Sequence, residues 1–488
     1  MDPPSLHRVA AESARIDEAA LHLRRGGLVA FPTETVYGLG ANAARQGAID
    51  ALYRLKQRPV DHPLIVHVAG VADASSWARL NPVALGLIGA LWPGPLTLVL
   101  PRRLDSPGYA CAGQKTIALR CPSHPVARAL LRRFSALGGK GVAAPSANPY
   151  GRISPTDADQ VEEDLKGMME LHARGRKRLD DPQIPDCWLL DGGACDAGIE
   201  STVLDVSSGE ARVLRPGAIP RQQIEALLGR EVPWVRSSGA SPAARGARGT
   251  ELPKVSGTHL AHYAPRKPLI LTAGEGLAAK LAELAAQGVA SVAVWGGDQG
   301  PGGAEPQPAS AGAPGLVLEQ HAMPASVQEV GSALYRQLRQ MDQSQAQVLL
   351  VVLPAGLAAQ AMSEQDSASP DLADVATNAG DAGNAGDAHD AGNAGNAGDA
   401  HDAGNAGNAG NEVQAWEAVL DRLQRAAYAT AAGLVKVDTP QSKESKAGQP
   451  ASTPVRLPAE KAAPSSQDAF PASATDDLDF DMSFDDLG

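Results

Sequence analysis

The sequence predicts an α/β protein with two folded domains. Short apolar runs alternate with stretches of helical spacing, and the alternation is interrupted where Gly, Ser, Ala and Pro dominate. With 488 residues, the chain is long enough for two or three domains that each bury a core. We expect residues 10–236 to form a first domain, 237–267 a linker, 268–435 a second domain and 436–488 a disordered acidic tail.

The first domain is predicted to begin with an amphipathic helix. Ile16, Ala19 and Leu23 share one helical face, and Gly26 with Gly27 ends the helix. The following elements are read from apolar runs and helical spacing: strands at 28–31, 64–68, 96–100, 116–120, 141–144 and 202–206, and helices at 48–55 and 126–134. This order predicts a mixed α/β domain.

The second domain shows a repeated strand–helix–strand pattern. Strands are predicted at 269–271, 290–295 and 348–353, and helices at 276–286 and 325–341. Because strands joined by a helix pair in parallel, the pattern predicts a small Rossmann-like sheet.

Residues 377–411 repeat Asn/Asp-Ala-Gly with a period of three. The repeat has no large apolar side chains to bury, so we expect disorder, and the absence of proline separates it from collagen. Trp416, Val419 and Leu423 then restore a helical stripe, which predicts a last helix of the second domain. The repeat is therefore interpreted as an insertion in that domain, and its removal is expected to leave activity near wild type.

Charge is distributed unevenly along the chain. The formal net charge is −12, but residues 1–236 carry 28 basic and 25 acidic side chains, and the remainder carries 15 and 30. The first domain can therefore hold an anionic ligand without strong repulsion. The four cysteines show neither CxxC nor paired His spacing, which argues against a zinc site or a disulfide framework. No long apolar run occurs, so we expect a cytoplasmic protein without membrane contact.

Two short polar segments within apolar sequence contain candidate functional residues. Lys56 and Arg58 present two cations to one anion, the Arg as a planar fork and the Lys as a point charge. Ser146 and Asn148 add hydroxyl and amide groups that suit phosphate or nucleoside contacts. Together they favour a nucleotide-using enzyme. The segment 38–43 has the spacing of a dinucleotide fingerprint, but six residues separate it from the preceding strand, which argues against that class.

Longer motifs carry a resemblance to a known family. They are FPTETVYGLG at 31–40, KQRP at 56–59, LWPGPLT at 91–97, ALR at 118–120, APSANPYGRISPT at 144–156, ESTV at 200–203, LRPG at 214–217 and SGTHLAHYAP at 256–265. In this order they closely resemble two-domain threonylcarbamoyl-AMP synthases, over about 10–353 and 412–433. The resemblance implies a YrdC-like mixed, twisted sheet with a concave basic cavity, followed by a small Rossmann-like parallel α/β domain.

The resemblance implies a reaction that joins L-threonine, bicarbonate or CO2, and ATP into threonylcarbamoyl-adenylate and releases pyrophosphate. It implies catalytic roles for Lys56 and Arg58. It implies ATP contacts from Lys56, Arg58, His62, Thr116, Ser146, Asn148, Ser154, Arg215 and Tyr263, and an L-threonine pocket formed by Thr33, His67, Arg120, Ala144 and Ser201. No Walker loop is present, so Mg²⁺ is expected on the ATP phosphates and no protein metal site is expected.

The resemblance also implies partners. A separate tRNA threonylcarbamoyl transferase would pass the group to the adenosine beside the anticodon of ANN-decoding tRNAs, and tRNA itself is a further candidate ligand.

In two-domain relatives the linker folds back over the cavity, which gives Tyr263 its place near ATP; a Tyr packed at a domain interface is the alternative. His67 lies on an apolar strand, where a lone His is usually a core residue. Arg58 is expected to be an exposed cation that contributes little to stability.

Two other functions compete with this one. A carbamoyl-transfer maturation factor with the same domain type would carry an acylphosphatase-like domain and zinc-finger cysteines, both absent from this sequence. A module that binds double-stranded RNA or tRNA would use a basic concave surface. The net charge of +3 over residues 1–236 and the few aromatic residues argue against RNA binding as the main task.

Overall fold

The computed structural model describes most of both predicted domains. It covers residues 4–175, 184–235, 252–257, 262–297, 316–354, 357 and 406–431, with side chains of the last segment described from 416 onward. All of these residues fall in one unit of mutual contacts, residues 1–440. The predicted tail, most of the predicted repeat and much of the predicted linker lie outside the described residues.

The first sheet has ten strands within the described residues. In chain order they are β1 Leu6–Ala10, β2 Leu28–Phe31, β3 Gly38–Asn42, β4 Ile65–His67, β5 Leu96–Pro101, β6 Thr116–Arg120, β7 Val142–Ala143, β8 Cys187–Asp191, β9 Thr202–Asp205 and β10 Arg212–Arg215. Across the sheet their order is β1-β8-β2-β3-β7-β4-β6-β5-β9-β10. Parallel pairs such as β4/β6 alternate with antiparallel pairs such as β2/β3, so the predicted mixed sheet is confirmed.

Helices cover both faces of this sheet. Those described are α1 Ser13–Arg25, α2 Gln46–Lys56, α3 Val71–Trp77, α4 Pro82–Leu91, α5 Pro125–Ala136, α6 Ala158–Gly175 and α7 Arg221–Leu228. Local sequence explains their starts: before Pro82 of α4, the Asn81 side chain accepts a hydrogen bond from the Ala84 N–H at 2.8 Å. Strand β2 is buried on both sides, because Leu28 and Ala30 join the larger core while Val29 and Phe31 join the core beneath α1 and α5.

The second sheet is parallel throughout. Its elements are β11 Leu269–Ala273, α8 Leu277–Ala286, β12 Ser291–Trp295, β13 Val317–His321, α9 Val327–Gln343, β14 Val348–Leu353 and α10 Ala406–Ala431. The strand order is β11-β14-β12-β13, with every described pair parallel. Helix α10 packs on α9 and β11 and also touches α7 of the first domain. The predicted small Rossmann-like domain is thus confirmed.

Two predictions need correction or comment. Helix α10 begins at Ala406, inside the segment 377–411 that we expected to be disordered. The reason is that the apolar stripe after the repeat nucleates a helix, which then extends backward through alanine-containing sequence. The dinucleotide spacing at 38–43 lies in strand β3 rather than in a strand–helix turn. A Cβ atom at Gly40 would lie 2.8 Å from Val142 Cγ1, so close strand packing explains that glycine.

Candidate active site

A small cavity of about 40 Å³ lies where strands β4, β6 and β7 of the first sheet meet the linker. All five residues of the predicted L-threonine set line it: Thr33, His67, Arg120, Ala144 and Ser201. Three residues of the predicted ATP set line it as well: Ser146, Arg215 and Tyr263. One cavity therefore contains side chains from seven segments that are separated by up to 230 residues. These segments lie around positions 33, 67, 120, 146, 201, 215 and 263.

Arg120 is the cation on the floor of this cavity. Its Nη1 donates to Thr35 Oγ1 at 3.0 Å, and its Nη2 lies 2.8 Å from Glu34 Oε1 without an aligned hydrogen bond. Burial raises the pKa of the Glu34 carboxyl, but the charge of Arg120 outweighs burial and the pKa ends below its ordinary value. An ionised Glu34 therefore holds the guanidinium in place. Within the described residues Arg120 Nε has no hydrogen-bond partner, so the fork keeps donors for a carboxylate.

His67 lies directly beside Arg120, because the two residues are register partners in the parallel β4/β6 pair. Burial, with the charge of Arg120 second, lowers the pKa of His67 to about 3. The ring is therefore neutral, and its Nδ1 has no hydrogen-bond partner within the described residues. Its edge-on contact with Phe31 shows that His67 also packs in the core, so the cavity and the core share this residue.

The hydroxyl groups of the set are held by neighbours. Thr33 Oγ1 donates to the Val36 carbonyl at 2.7 Å. Ser201 Oγ lies 2.8 Å from Thr97 Oγ1. Arg215 Nη2 donates to the Ser201 carbonyl at 2.8 Å and reaches its Oγ at 3.2 Å. The cavity wall is thus ordered before any ligand is present.

The two polar segments Lys56–Arg58 and Ser146–Asn148 meet as the sequence suggests. Lys56 is buried and its Nζ donates to the backbone carbonyl of Ser146 at 2.6 Å and to that of Asn148. Burial, then the nearby Arg58 charge, lowers the pKa of Lys56 to about 7. The Asn148 amide donates to the Arg152 carbonyl at 2.8 Å, while its Oδ1 has no partner in the described part of the chain.

The expectation that Arg58 is exposed is wrong. Only 6% of Arg58 is exposed, because Tyr150 and the linker residue Ser256 cover it. Its Nη2 donates to the Pro63 carbonyl at 3.1 Å and to Ser256 Oγ at 3.4 Å, and the guanidinium lies 5.7 Å from the Tyr150 ring centre. Since Ser256 lines the cavity, Arg58 reaches the cavity wall through the linker.

Six predicted ATP residues do not line the cavity: Lys56, Arg58 and Asn148, described above, and His62, Ser154 and Thr116. His62 Nδ1 lies 2.9 Å from Tyr150 Oη, beyond Arg58. Ser154 is buried and donates to Glu200 Oε1 at 2.8 Å, behind the cavity wall. Thr116 starts strand β6, four residues before Arg120, which places it about 13 Å along the strand from that side chain.

The linker closes the cavity with His262 and Tyr263. Both side chains are buried, and their rings lie 4.1 Å apart. Tyr263 has a φ of +62°, a backbone conformation that residues other than glycine rarely adopt. Gly257, with φ +79°, lies so near that a Cβ atom there would be 2.5 Å from Tyr263 Oη. The backbone of the linker is therefore shaped to hold this tyrosine against the cavity.

Glu200 is a site residue for which the sequence suggested no role, although it belongs to a quoted motif. It lines the cavity, and its carboxylate accepts hydrogen bonds from Ser154, from Tyr335 at 2.6 Å and from Arg422 at 2.8 Å. Burial raises the pKa of Glu200, but Arg422 and then Arg215 outweigh burial and lower it. Two of these donors belong to the second domain, so both domains form the site.

Two features are absent from the described residues. No group of three or more His, Cys, Asp or Glu side chains in those residues could hold a metal ion. Among the described helices, none has the length and apolar character needed to cross a bilayer.

Comparison with known proteins identifies the family. A family model described as "Telomere recombination" matches residues 22–217, and one described as "Threonylcarbamoyl-AMP synthase, C-terminal domain" matches 219–364. The threonylcarbamoyl-AMP synthase of Bacillus subtilis is 40% identical over 263 residues, covering 53% of this chain and 67% of that protein. The one of Pyrococcus abyssi is 38% identical over 264 residues, covering 54% and 69%. This chain belongs to the threonylcarbamoyl-AMP synthase family.

A solved structure agrees with this membership of the threonylcarbamoyl-AMP synthase family. The crystal structure of P. abyssi Sua5 complexed with L-threonine has a TM-score of 0.58 and 31% identity, and the match covers 72% of this chain and 92% of that chain. The predicted family and the two-domain fold are therefore confirmed. As a member of the family, the chain is an enzyme of the nucleotidyltransferase type.

Proposed function

We propose that this chain makes L-threonylcarbamoyladenylate and pyrophosphate from L-threonine, bicarbonate or CO2, and ATP. The observation that carries the proposal is a set of buried polar atoms around one cavity. Within the described residues, no hydrogen-bond partner satisfies Arg120 Nε, His67 Nδ1, Arg215 Nε or Tyr263 Oη of the cavity wall, or Asn148 Oδ1 near Lys56. Because buried polar atoms are normally paired, a polar ligand is their natural partner. The named relatives and the L-threonine complex of a similar protein support the identity of that ligand.

L-Threonine is assigned to the floor of the cavity. The Arg120 fork binds its carboxylate, and neutral His67 lies beside the position of its amine or carbamate. A volume of about 40 Å³ corresponds to roughly three water-sized spheres. That space suits a small amino acid and is far below the roughly 300 Å³ of a typical drug-sized ligand site. ATP therefore requires the linker residues Ser256, His262 and Tyr263 to move outward.

The phosphates are assigned to Lys56 and Arg58. The carbamate oxygen attacks the α-phosphorus, a new P–O bond forms, and the bond to pyrophosphate breaks. Positioning and compensation of negative charge are what the protein supplies in such a transfer. Mg²⁺ fits this site as an ion carried by the phosphates, because the nearby carboxylates Glu34 and Glu200 are already ion-paired with Arg120 and Arg422.

The remaining ATP contacts are assigned to the nucleotide. Ser146, Arg215 and Tyr263 belong to the cavity wall, and Asn148 and Ser154 lie behind it. The part of ATP that extends beyond the cavity is assigned to the remaining predicted contacts, His62 and Thr116. After binding, the linker closes again and excludes water from the mixed anhydride, which would otherwise hydrolyse.

In this proposal, residues 10–236 form the catalytic domain, 237–267 the linker and 268–435 the C-terminal domain. The product passes to a tRNA threonylcarbamoyl transferase that modifies ANN-decoding tRNAs. Because the tRNA pool is cytoplasmic, the enzyme is assigned to the cytoplasm.

The test is pyrophosphate release by the purified chain with ATP and Mg²⁺, with L-threonine or bicarbonate omitted in turn. Release that needs both supports the proposal. Pyrophosphate release that does not depend on L-threonine indicates another acceptor. Absence of release from the folded protein refutes the proposal.

A further inference from the structure

Arg422 is a residue of the C-terminal domain that reaches the wall of the active-site cavity. It lies on α10, and no part of it is exposed. Its Nε donates to Glu200 Oε2 at 2.8 Å, its Nη1 to Asp421 Oδ2 at 2.5 Å, and its Nη2 to the Pro216 carbonyl at 2.9 Å. Two of these three acceptors belong to the first domain. The guanidinium is thus fixed in the interface between the domains.

Glu200 connects this interface to the cavity. One carboxylate oxygen accepts from Ser154, and the other accepts from Arg422 and from Tyr335 of α9. Glu200 itself lines the cavity, next to Ser201. Among the described residues, every hydrogen bond to this buried carboxylate from the C-terminal domain therefore comes from α9 or α10. Without Arg422, an ionised carboxylate would remain buried without its ion-pair partner, which a low-dielectric site disfavours.

Tyr263 provides a second, independent connection. The Arg422 guanidinium lies 5.0 Å from the Tyr263 ring centre, and the Tyr335 ring stacks at 5.6 Å with an interplanar angle of 23°. A tyrosine with φ +62° is strained and persists only where its surroundings hold it. The two residues of the C-terminal domain supply that support.

We propose that Arg422 is a positioning residue of the active site, through which the C-terminal domain holds Glu200 and the linker tyrosine Tyr263 in place for the nucleotide. Arg422 acts through these two residues and touches neither the L-threonine floor nor the phosphate cations. The role deepens the proposed function and rests on it for the identity of the nucleotide. This role also gives the C-terminal domain a function, because that domain then sets the position of the linker.

The test uses Arg422→Gln and Arg422→Lys in the full chain. Pyrophosphate release is measured against ATP and against L-threonine, and hydrogen exchange of residues 262–265 is measured without substrates. Arg422→Gln should raise the KM for ATP about tenfold or more and leave the KM for L-threonine within about twofold. Exchange at the Ala264 amide, which donates to the Gly151 carbonyl at 2.9 Å, should rise at least about tenfold. Arg422→Lys keeps the charge beside Glu200 and the ring, so it should recover most of both effects.

Glu417→Gln is the matched control. Glu417 also lies on α10 and forms an ion pair between the domains, with Arg221 at 2.9 Å, but neither residue lines the cavity. This variant should keep the wild-type KM values and the wild-type exchange at 262–265. If Arg422→Gln does not fold, Tyr335→Phe removes one donor to Glu200 while keeping the stacked ring, and it should raise the KM for ATP alone.

Four outcomes decide between the proposals. Equal exchange at 262–265 in folded Arg422→Gln and Glu417→Gln overturns the positioning role, and so does an unchanged KM for ATP. A general loss of kcat with both KM values unchanged shows a merely structural residue and also overturns it. If the wild-type chain releases no pyrophosphate, the proposed function fails, while the exchange comparison still decides the role of Arg422.

Discussion

Replacing Lys56 with methionine should remove a pH-dependent burial cost from the ligand-free protein and abolish activity. Lys56 is buried, and its ammonium has two backbone carbonyls as partners and no carboxylate within salt-bridge distance among the described residues. Its pKa falls from the ordinary 10.5 to about 7, chiefly because of burial. Methionine has nearly the same length and no charge to bury, so the fold gains what the buried ammonium costs.

The size of this effect depends on pH in a defined way. Between pH 7 and 10.5 the unfolded chain keeps a proton on Lys56 that the folded chain has lost, so wild-type stability rises with pH in this window. The burial cost is about 4 kcal/mol at pH 7 and about 2 kcal/mol at pH 9. Leaving two carbonyls without their donor costs the variant about 1–2 kcal/mol each. The stability of Lys56→Met relative to wild type should therefore be about 2 kcal/mol greater at pH 7 than at pH 9.

Thermal unfolding at the two pH values tests this difference. With about 2–4 °C per kcal/mol, the difference in Tm between variant and wild type should shrink by about 4–8 °C from pH 7 to pH 9. Pyrophosphate release should fall at least about a hundredfold. Lys166→Met is the control, since this lysine is exposed in an i,i+4 pair with Glu162 and should change Tm little at either pH. A Tm difference for Lys56→Met that is the same at both pH values would refute the assignment of a buried, partly neutral lysine.

Three further predictions concern the floor, the linker and the repeat. Arg120→Gln should weaken L-threonine binding by about a hundredfold in calorimetry, because the bidentate partner of the carboxylate is lost; a change below threefold would contradict that role. Gly257→Ala should lower kcat/KM at least about tenfold, since the new Cβ would lie 2.5 Å from Tyr263 Oη and φ is +79°; wild-type kinetics would show that the linker adapts. Deleting 377–405, which stops before α10, should leave kcat within about twofold, and a large loss with the wild-type Tm would give the repeat a role in the enzyme.

Much of the fold was predictable because its central strands are buried on both faces. Strands such as β2, β5 and β14 read as continuous apolar runs, and the predicted bounds differ from the observed ones by a residue or two. Five of the described strands were missed: β1, β3, β8, β10 and β13. The edge strands β1 and β13 were missed for the opposite reason. Their sequences, LHRVA and VLEQH, are half polar and largely solvent-accessible, so neither an apolar run nor a clean alternation marks them.

The candidate site was predictable where motifs are local. Lys56 and Ser146 lie in short polar segments whose residue types already indicate contacts with a nucleotide, and the structure brings those segments into contact. Arg422 could not be found in this way, because its partner Glu200 lies 222 residues away and only tertiary packing joins them. The sequence offers no signal for it, since Asp421 and Arg422 lie between the apolar positions Leu420 and Leu423, where a charge normally faces solvent.

The distribution of charge explains how the ligand-free site is prepared for its substrates. The carboxylates that line or border the cavity, Glu34 and Glu200, are already matched by Arg120 and Arg422. Lys56 and Arg58 have only carbonyl, hydroxyl and aromatic contacts among the described residues, so they form a buried positive excess. In the proposed function, phosphates bring the missing negative charge, and their binding restores the positive charge that burial disfavours on Lys56.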